Sequence, residues 1–202
     1  MRAALILENG AVFRGMSIGG TEDRACEMVF NTSMTGYQEI LTDPSYAGQG
    51  IIMSYPLIGN YGINHEDNES SRPWAECFVV RHLADRGSNF RCEGNLNDYL
   101  KQHHITGIQG VDTRALIRIL RSQGTMNGMI TCAEHFSVEE CLAPIRSYRV
   151  QGTVERVTRK ETEIFKPEGE TRFRVALMDY GAKKSMIDGL RRRGCEVTAC
   201  PA

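Results

Sequence analysis

The chain has 202 residues, of which 41% are hydrophobic, 24% charged and 7% aromatic, which excludes a disordered or fibrous protein. Its 24 Lys and Arg residues balance its 25 Asp and Glu residues, and the net charge of -1 argues against a dedicated nucleic-acid or anionic-membrane binder. No apolar run reaches the length of a membrane span. The apolar stretch at residues 3–7 is too short for a signal peptide, so we expect a cytoplasmic protein.

Residues 1–150 predict one domain in which short strands and helices are mixed. The Asn9-Gly10 pair between apolar residues 3–8 and 11–14 is typical of a β-hairpin turn, and Gly15 is expected to break the second arm. The pattern then predicts strands at residues 27–31, 51–55, 76–81, 105–111 and 126–131, and helices at residues 96–103, 112–123 and 137–148.

Capping residues support two of these helices. Asp112 is a good N-cap, and Gly124 can end the same helix in a left-handed conformation. Ser137 and Glu140 have the spacing of a capping box at the start of the next helix. Residues 32–50 show no sustained period, so no regular element is predicted there.

A charged linker and a second, incomplete domain follow. Residues 151–172 carry mixed charges with Pro167 and Gly169, which predicts an exposed linker with room for a short edge strand. In residues 173–202, the continuous apolar run at 175–178 predicts a strand buried on both faces. A turn at residues 179–181, a helix at residues 182–193 and a second strand at residues 196–200 complete one β-α-β unit. The helix carries Met186, Ile187 and Leu190 on one apolar face.

One such unit cannot bury its own apolar faces, so we expect the chain to be a fragment of a longer protein. Residues 175–202 could then be disordered, pack back on the first domain or pair with a second molecule. Of these outcomes we expect pairing, because the linker gives this segment reach.

Several short patterns carry little functional information. Residues 15–19 match GxSxG around Ser17, but no helix follows, so a serine hydrolase is disfavoured. Arg114, Arg118 and Arg121 form a stripe on one helix, either a solvated face, which we favour, or a docking surface for an acidic partner. The seven scattered cysteines contain no CxxC pair, which favours free thiols over disulfides or a metal site.

The Asp43-Pro44-Ser45-Tyr46 segment predicts a rigid turn. Pro44 fixes φ at the first central position, and Asp43 can accept backbone N–H bonds. The Ser45 hydroxyl would then be exposed on a fixed backbone. From the residues alone, an ordinary turn serine is favoured over a ligand contact.

Long motifs resemble one family throughout the chain, the small, glutamine-hydrolysing subunit of carbamoyl-phosphate synthetase. In residues 1–150 the matching stretches are FNTSMTGYQEILTDPSY (30–46), SYPLIGNYGIN (54–64), ESS (69–71), SNFR (88–91), GVDTRALIRILRSQG (110–124) and MNG (126–128). The stretch VALMDYGAKKSMIDGLRRRGCEVTACPA (175–202) resembles the first strand-helix-strand of the family's class I glutamine amidotransferase domain.

The resemblance implies a fold and a reaction. Residues 1–150 would form a three-layer β/β/α domain, and residues 173–202 the start of a flavodoxin-like, parallel-sheet α/β domain. The family hydrolyses glutamine with a Cys-His-carboxylate triad and passes ammonia to a large subunit. That partner makes carbamoyl phosphate from bicarbonate and Mg-ATP, for arginine or pyrimidine synthesis, which the sequence leaves open.

The resemblance also limits what this chain is expected to do alone. The triad would lie beyond residue 202, and Cys195 and Cys200 do not replace the nucleophile, so the chain is expected to be inactive alone. Ser45 is the one residue carried over as glutamine-binding, with no metal and no cofactor bound by this chain. The expected partners are the large subunit and glutamine, with no nucleic acid and no membrane. The alternative is a non-catalytic module that only docks the large subunit.

Overall fold

A computed structural model describes residues 1–202 and gives a mixed α/β protein rich in strands. The strands are β1 (Arg2–Leu7), β2 (Val12–Gly19), β3 (Arg24–Asn31), β4 (Gln49–Met53), β5 (Leu57–Ile58), β6 (Cys77–Val79), β7 (His82–Leu83), β8 (Thr106–Gln109), β9 (Met126–Thr131), β10 (Glu163–Phe165), β11 (Phe173–Asp179) and β12 (Cys195–Pro201). The helices are α1 (Tyr37–Thr42), α2 (Leu96–Gln102), α3 (Thr113–Gln123), α4 (Val138–Ser147), α5 (Thr153–Val157) and α6 (Lys184–Arg191). None of them combines the length and the apolar character needed to cross a membrane.

Seven strands close into one sheet in the order β1-β2-β8-β6-β4-β3-β9. The β1–β2 hairpin around Asn9-Gly10 is confirmed. The prediction that Gly15 breaks the second arm is wrong, because β2 continues to Gly19. A side chain at position 15 would collide with the carbonyl oxygen of Gln109 on β8, so this glycine permits a close approach between neighbouring strands.

Apolar residues cover both faces of this closed sheet. On β4, Ile52 belongs to one core, whereas Ile51 and Met53 belong to another, as the alternation of a strand requires. Helix α3 packs on the first core, α1 and α2 on the second, and α4 covers a third cluster on β1 and β9. The mixed α/β class is therefore confirmed, and the three-layer arrangement stays an expectation.

Both predicted N-caps are confirmed, but the predicted left-handed conformation of Gly124 is wrong, because its ψ of 177° is extended. The Asp112 carboxylate accepts a hydrogen bond from the Ala115 N–H (3.0 Å), and Gly124 has a φ of 89° at the other end of α3. The Ser137 hydroxyl accepts a hydrogen bond from the Glu140 N–H (3.4 Å) at the start of α4. Helix α1 was not predicted, because six residues are too few to show a helical period.

Residues 173–202, called the tail below, form the predicted β-α-β unit with β11 and β12 parallel. The linker supplies an edge strand, β10, antiparallel to β12, and also the unpredicted helix α5. The prediction that β11 is buried on both faces is wrong, since Phe173 is 59% and Met178 52% exposed. In the order β10-β12-β11, β11 is an edge strand that no further layer covers.

The predicted apolar face of α6 is only partly used. Ile187 is buried and Leu190 half-buried, whereas Met186 is 53% exposed. The tail contacts the first domain within one chain through hydrogen bonds to Glu69. The expected pairing of this segment between two molecules stays a prediction.

Candidate functional site

The predicted turn around Ser45 is present and is tightly fixed. Residues Pro44–Tyr46 form one turn of 3-10 helix with Pro44 in its first position. The Asp43 carboxylate accepts a hydrogen bond from the Ser45 N–H (2.9 Å), and the Asp43 carbonyl accepts one from the Tyr46 N–H (3.1 Å). Ser45 is exposed, and its hydroxyl forms no hydrogen bond within the chain. A fixed backbone therefore presents a free hydroxyl to solvent.

The residues before the turn are buried and hold it in place. The Gln38 side chain donates hydrogen bonds to the Asn64 carbonyl and to Asn68 Oδ1, and its Oε1 accepts one from the Asn64 N–H (3.0 Å). The Tyr37 and Tyr61 rings stack with their centroids 4.1 Å apart. These contacts fix α1 against the loop that follows β5, so much of the FNTSMTGYQEILTDPSY motif forms a scaffold for the turn.

Burial of these two rings has an electrostatic consequence. Loss of solvent raises the pKa of Tyr61 to about 12 and that of Tyr37 still further. Both phenols are therefore protonated at neutral pH. The Tyr61 oxygen accepts hydrogen bonds from the N–H groups of Gly36 (2.6 Å) and Tyr37 (3.0 Å), so its role here is structural.

Thr42 connects the turn to the Glu69-Ser70-Ser71 loop. Its hydroxyl accepts a hydrogen bond from the Glu69 N–H (2.9 Å), and its carbonyl accepts one from the Ser70 hydroxyl (2.6 Å). Trp74 Nε1 donates to the same Ser70 oxygen (2.9 Å). Since Thr42 is fully buried directly before Asp43, this network sets the direction in which the turn leaves α1.

The tail packs directly against the turn. A Cβ atom on Gly181, whose φ is 98°, would lie 3.0 Å from Pro44 Cβ. Lys183 Nζ lies 3.5 Å from Asp43 Oδ2. The structure thus brings the predicted serine turn of the first domain together with the Asp179-to-Lys183 loop of the tail, a contact that the sequence does not reveal.

Asp179 fixes that loop. Its Oδ1 accepts hydrogen bonds from the N–H groups of Gly181 (3.0 Å) and Ala182 (2.7 Å), and its Oδ2 accepts one from Arg159 Nε (2.9 Å). Burial opposes ionisation, but these hydrogen bonds and the Arg159 charge outweigh it, so the pKa of Asp179 lies below its usual range. The carboxylate is therefore ionised at neutral pH and organises the loop.

A cleft of about 780 Å³ lies beside the turn, between the first domain and residues 156–191. Its arginines are mostly paired: Arg159 with Asp179 (2.9 Å) and Arg191 with Asp188 (3.0 Å). Pro44 lines the cleft but Ser45 does not. The serine hydroxyl would therefore meet a ligand outside this cleft.

The remaining sequence candidates lie apart from the turn. Ser17 lies within strand β2, where its hydroxyl is 3.5 Å from Cys132 Sγ, and it has no strand-to-helix elbow. Cys195 and Cys200 belong to strand β12. All seven cysteines are free, and no group of three or more His, Cys, Asp or Glu side chains is placed to hold a metal ion.

The arginine stripe is exposed on α3. Arg114, Arg118 and Arg121 make no ion pair within the chain and lie opposite the buried side of the helix. Exposure without an ion pair occurs both on a solvated face and on a docking surface, so the solvated face stays a prediction.

Sequence reasoning missed the residues that join the two parts. Glu69 belongs to the ESS motif and Lys183 to the tail motif, and the sequence indicates no partner for either of them. Their partners are far away in the sequence, so no local pattern could have identified these contacts.

The family model and the curated relatives agree on one family. The family model "Carbamoyl-phosphate synthase small chain, CPSase domain" matches residues 5–130. A relative from Clostridium perfringens (strain 13 / Type A), named carbamoyl phosphate synthase small chain, is 46% identical over 201 residues, covering 100% of this chain and 56% of the relative.

Two further relatives carry the same name. The protein from Syntrophotalea carbinolica is 44% identical over 216 residues, covering 100% of this chain and 57% of the relative. The protein from Bacillus caldolyticus is 43% identical over 202 residues, covering 100% and 54%. The chain therefore spans about half the length of the curated relatives it matches.

Proposed function

Because the chain belongs to the family of carbamoyl-phosphate synthase small chains, we propose that it forms the N-terminal half of a glutamine-hydrolysing subunit. The subunit releases ammonia from glutamine and passes it to a large subunit. The large subunit then makes carbamoyl phosphate, a precursor for arginine or pyrimidine synthesis, from bicarbonate and Mg-ATP. The name of the relatives supports a larger partner chain, and seven free cysteines suit the cytoplasm.

In this proposal the two parts of the chain belong to two different folds. Residues 1–150 form the family's three-layer β/β/α domain, supported by helices packed on the sheet in separate cores. The tail starts a flavodoxin-like domain, supported by the parallel β11–β12 pair with α6 between them. Residues 151–172 link the two domains.

The free hydroxyl of Ser45 carries the proposal. It is exposed on a locked turn at the place where the first domain contacts the tail. A hydroxyl can donate to the α-carboxylate of glutamine or accept from its α-ammonium group. Ser45 thus contributes one hydrogen bond to a charged group of the substrate from outside the amidotransferase domain.

In this proposal, the catalytic groups that hydrolyse glutamine come from outside residues 1–202. A thiolate would attack the amide carbonyl, and a histidine would protonate the leaving ammonia. Cys195 and Cys200 lie within β12 and present no exposed turn for a nucleophile. We therefore expect the 202-residue chain alone to release no glutamate from glutamine.

The test is Ser45→Ala in the complete small chain bound to its large chain. Loss of one hydrogen bond to a charged group costs about 1.5–3 kcal/mol, which raises the glutamine KM roughly ten- to hundredfold. Carbamoyl phosphate synthesis from added ammonia should stay unchanged. Ser71→Ala, which alters another exposed serine beside the same junction, is the matched control. An unchanged glutamine KM for Ser45→Ala would reduce Ser45 to a turn residue.

One observation favours the docking role as a second candidate. Phe90 is 96% exposed on a loop that Arg91 fixes through an ion pair with Asp67 (2.6 Å). In the docking role, this exposed ring would be buried against the large chain as an aromatic anchor. A pull-down of the large chain with Phe90→Ser, compared with His82→Ser at another exposed position, tests this role without any glutaminase activity.

A further inference from the structure

Helix α6 begins without a cap from its own segment. The first N–H groups of any helix lack partners inside the helix. Lys183 occupies the N-cap position, and no side chain of the tail accepts a hydrogen bond there. The missing acceptors come instead from the first domain, more than a hundred residues away.

Glu69 supplies both acceptors. Its carbonyl oxygen accepts a hydrogen bond from the Lys184 N–H (2.7 Å), and its carboxylate Oε2 accepts one from the Ser185 N–H (2.9 Å). A negative charge at this end of a helix is further stabilised by the helix dipole. One residue of the first domain therefore completes the start of a helix in the tail.

Glu69 is itself fixed to the serine turn. Its N–H donates to the hydroxyl of the buried Thr42, the residue directly before Asp43. Asp43 in turn accepts the Ser45 N–H and lies 3.5 Å from Lys183 Nζ. The start of α6 and the Ser45 turn are thus connected through two short routes, one through Glu69 and one through Asp43.

Few other polar contacts join these two elements. Lys184 Nζ donates to the Glu66 carbonyl at 3.4 Å, and Gly181 touches Pro44 without a hydrogen bond. A domain contact of this polar kind is adjustable unless specific bonds fix it. The two hydrogen bonds of Glu69, at 2.7 and 2.9 Å, are shorter than the polar contacts of Lys184 Nζ with Glu66 and of Lys183 Nζ with Asp43.

We propose that Glu69 is a positioning residue that caps α6 across the domain boundary and so sets the place of Ser45 relative to the amidotransferase domain. This inference rests on the proposed function for its kinetic part only. Glu69 does not touch glutamine; it acts by holding the α6 start and the serine turn in one geometry. Weakening the cap lets the turn move away from the bound substrate, so glutamine binding suffers more than turnover.

The first experiment measures amide hydrogen exchange at Lys184 and Ser185 in the 202-residue chain. Loss of a helix cap shifts the equilibrium between the closed and the locally opened helix end about fivefold towards opening. We expect exchange at Ser185 to quicken by about that factor in Glu69→Ala and to stay near the wild-type rate in Glu69→Gln, whose amide oxygen still accepts. Glu66→Ala, an exposed acidic neighbour that does not bond Ser185, is the control.

The second experiment measures glutamine kinetics in the complete small chain bound to its large chain. We expect Glu69→Ala to raise the glutamine KM about fivefold with kcat changed less than twofold, while Glu69→Gln and Glu66→Ala stay near wild type. Faster exchange with an unchanged KM would overturn the positioning role, and unchanged exchange would overturn the cap. An equal KM rise in Glu69→Gln would also contradict capping. A wild-type complex without glutaminase activity would instead defeat the proposed function, while the exchange data still decide the cap.

Discussion

Residues 1–150 and the tail contain similar apolar strands in different surroundings. In β1, Leu5, Ile6 and Leu7 are fully buried, because the strand has a neighbour on each side and packed helices beyond. In β11, the equally apolar run at 175–178 is partly exposed, because its sheet has only three strands. An apolar run therefore predicts a strand, whereas its burial depends on neighbours that the run does not specify.

The contact between the two domains differs from the interior of either. The first domain is held by apolar cores, whereas the tail contacts it through polar pairs such as Ser185–Glu69 (2.9 Å) and Lys183–Asp43 (3.5 Å). Exposed ion pairs contribute little to stability. The serine turn therefore belongs to a rigid scaffold, and the tail approaches it through a surface that can adjust.

The largest expected effect separates the interior of the first domain from the tail. Ile52 is fully buried in the first core, so Ile52→Ala should lower the free energy of unfolding by about 2–5 kcal/mol. Met178→Ala, at an exposed tail position, should change it by less than about 0.5 kcal/mol. Urea unfolding followed by circular dichroism measures both. Equal losses in the two variants would remove the contrast between the domains.

Local sequence signals were sufficient for much of the first domain. The Asn9-Gly10 turn, the Asp112 cap and the rigid Pro44 turn each depend on residues a few positions apart. Helix α1 was missed because it is short and is stabilised by buried long-range bonds, such as those of Gln38 to Asn64. Closure of the sheet also could not be predicted, because pairs such as β3–β9 join distant segments.

The candidate site divides in the same way. The exposed Ser45 hydroxyl and the acceptor role of Asp43 follow from turn chemistry. The cap that Glu69 provides for α6 joins residues 116 positions apart, so no periodicity or motif indicates it. Resemblance to a family identified the turn, but the packing of the tail against it came from the structure.

A smaller effect is expected from pH, and it has opposite signs in the two domains. Burial, together with Asp67 and Glu69, raises the pKa of Glu39 above 4.5. The folded first domain then binds this proton more readily than the unfolded chain, so its stability gains as the pH falls through the raised pKa towards 4.5. The lowered pKa of Asp179 has the reverse effect, and its stabilisation of the tail is lost as the pH falls below 3.8.

Carboxyl-carbon NMR titration of the 202-residue chain checks both signs. The Glu39 signal should titrate above 4.5, the ordinary pKa of a glutamate, and the Asp179 signal below 3.8, the ordinary pKa of an aspartate. In acid unfolding curves, Glu39→Gln should abolish the gain in stability as the pH falls towards 4.5. Asp179→Asn should abolish the loss of stability below pH 3.8. Titration of Glu39 and Asp179 in the same direction would contradict the assignment of opposite environments.

The smallest expected effect on folding stability tests the open edge of the tail. An edge strand with unpaired backbone groups and exposed apolar side chains can pair with a second copy, and a lysine on the edge opposes such pairing. Met178→Lys should therefore change the free energy of unfolding by less than about 0.5 kcal/mol. Light scattering should show concentration-dependent self-association for the wild-type chain and none for this variant. Met34→Lys, at a position 65% exposed on the first domain, should leave association unchanged.

A chain that ends at Tyr148 should behave as a monomer, since the closed sheet offers no free edge. If the full 202-residue chain is also monomeric at every concentration, the contacts of the tail with Glu69 and Pro44 satisfy it within one molecule, and the expected pairing is wrong.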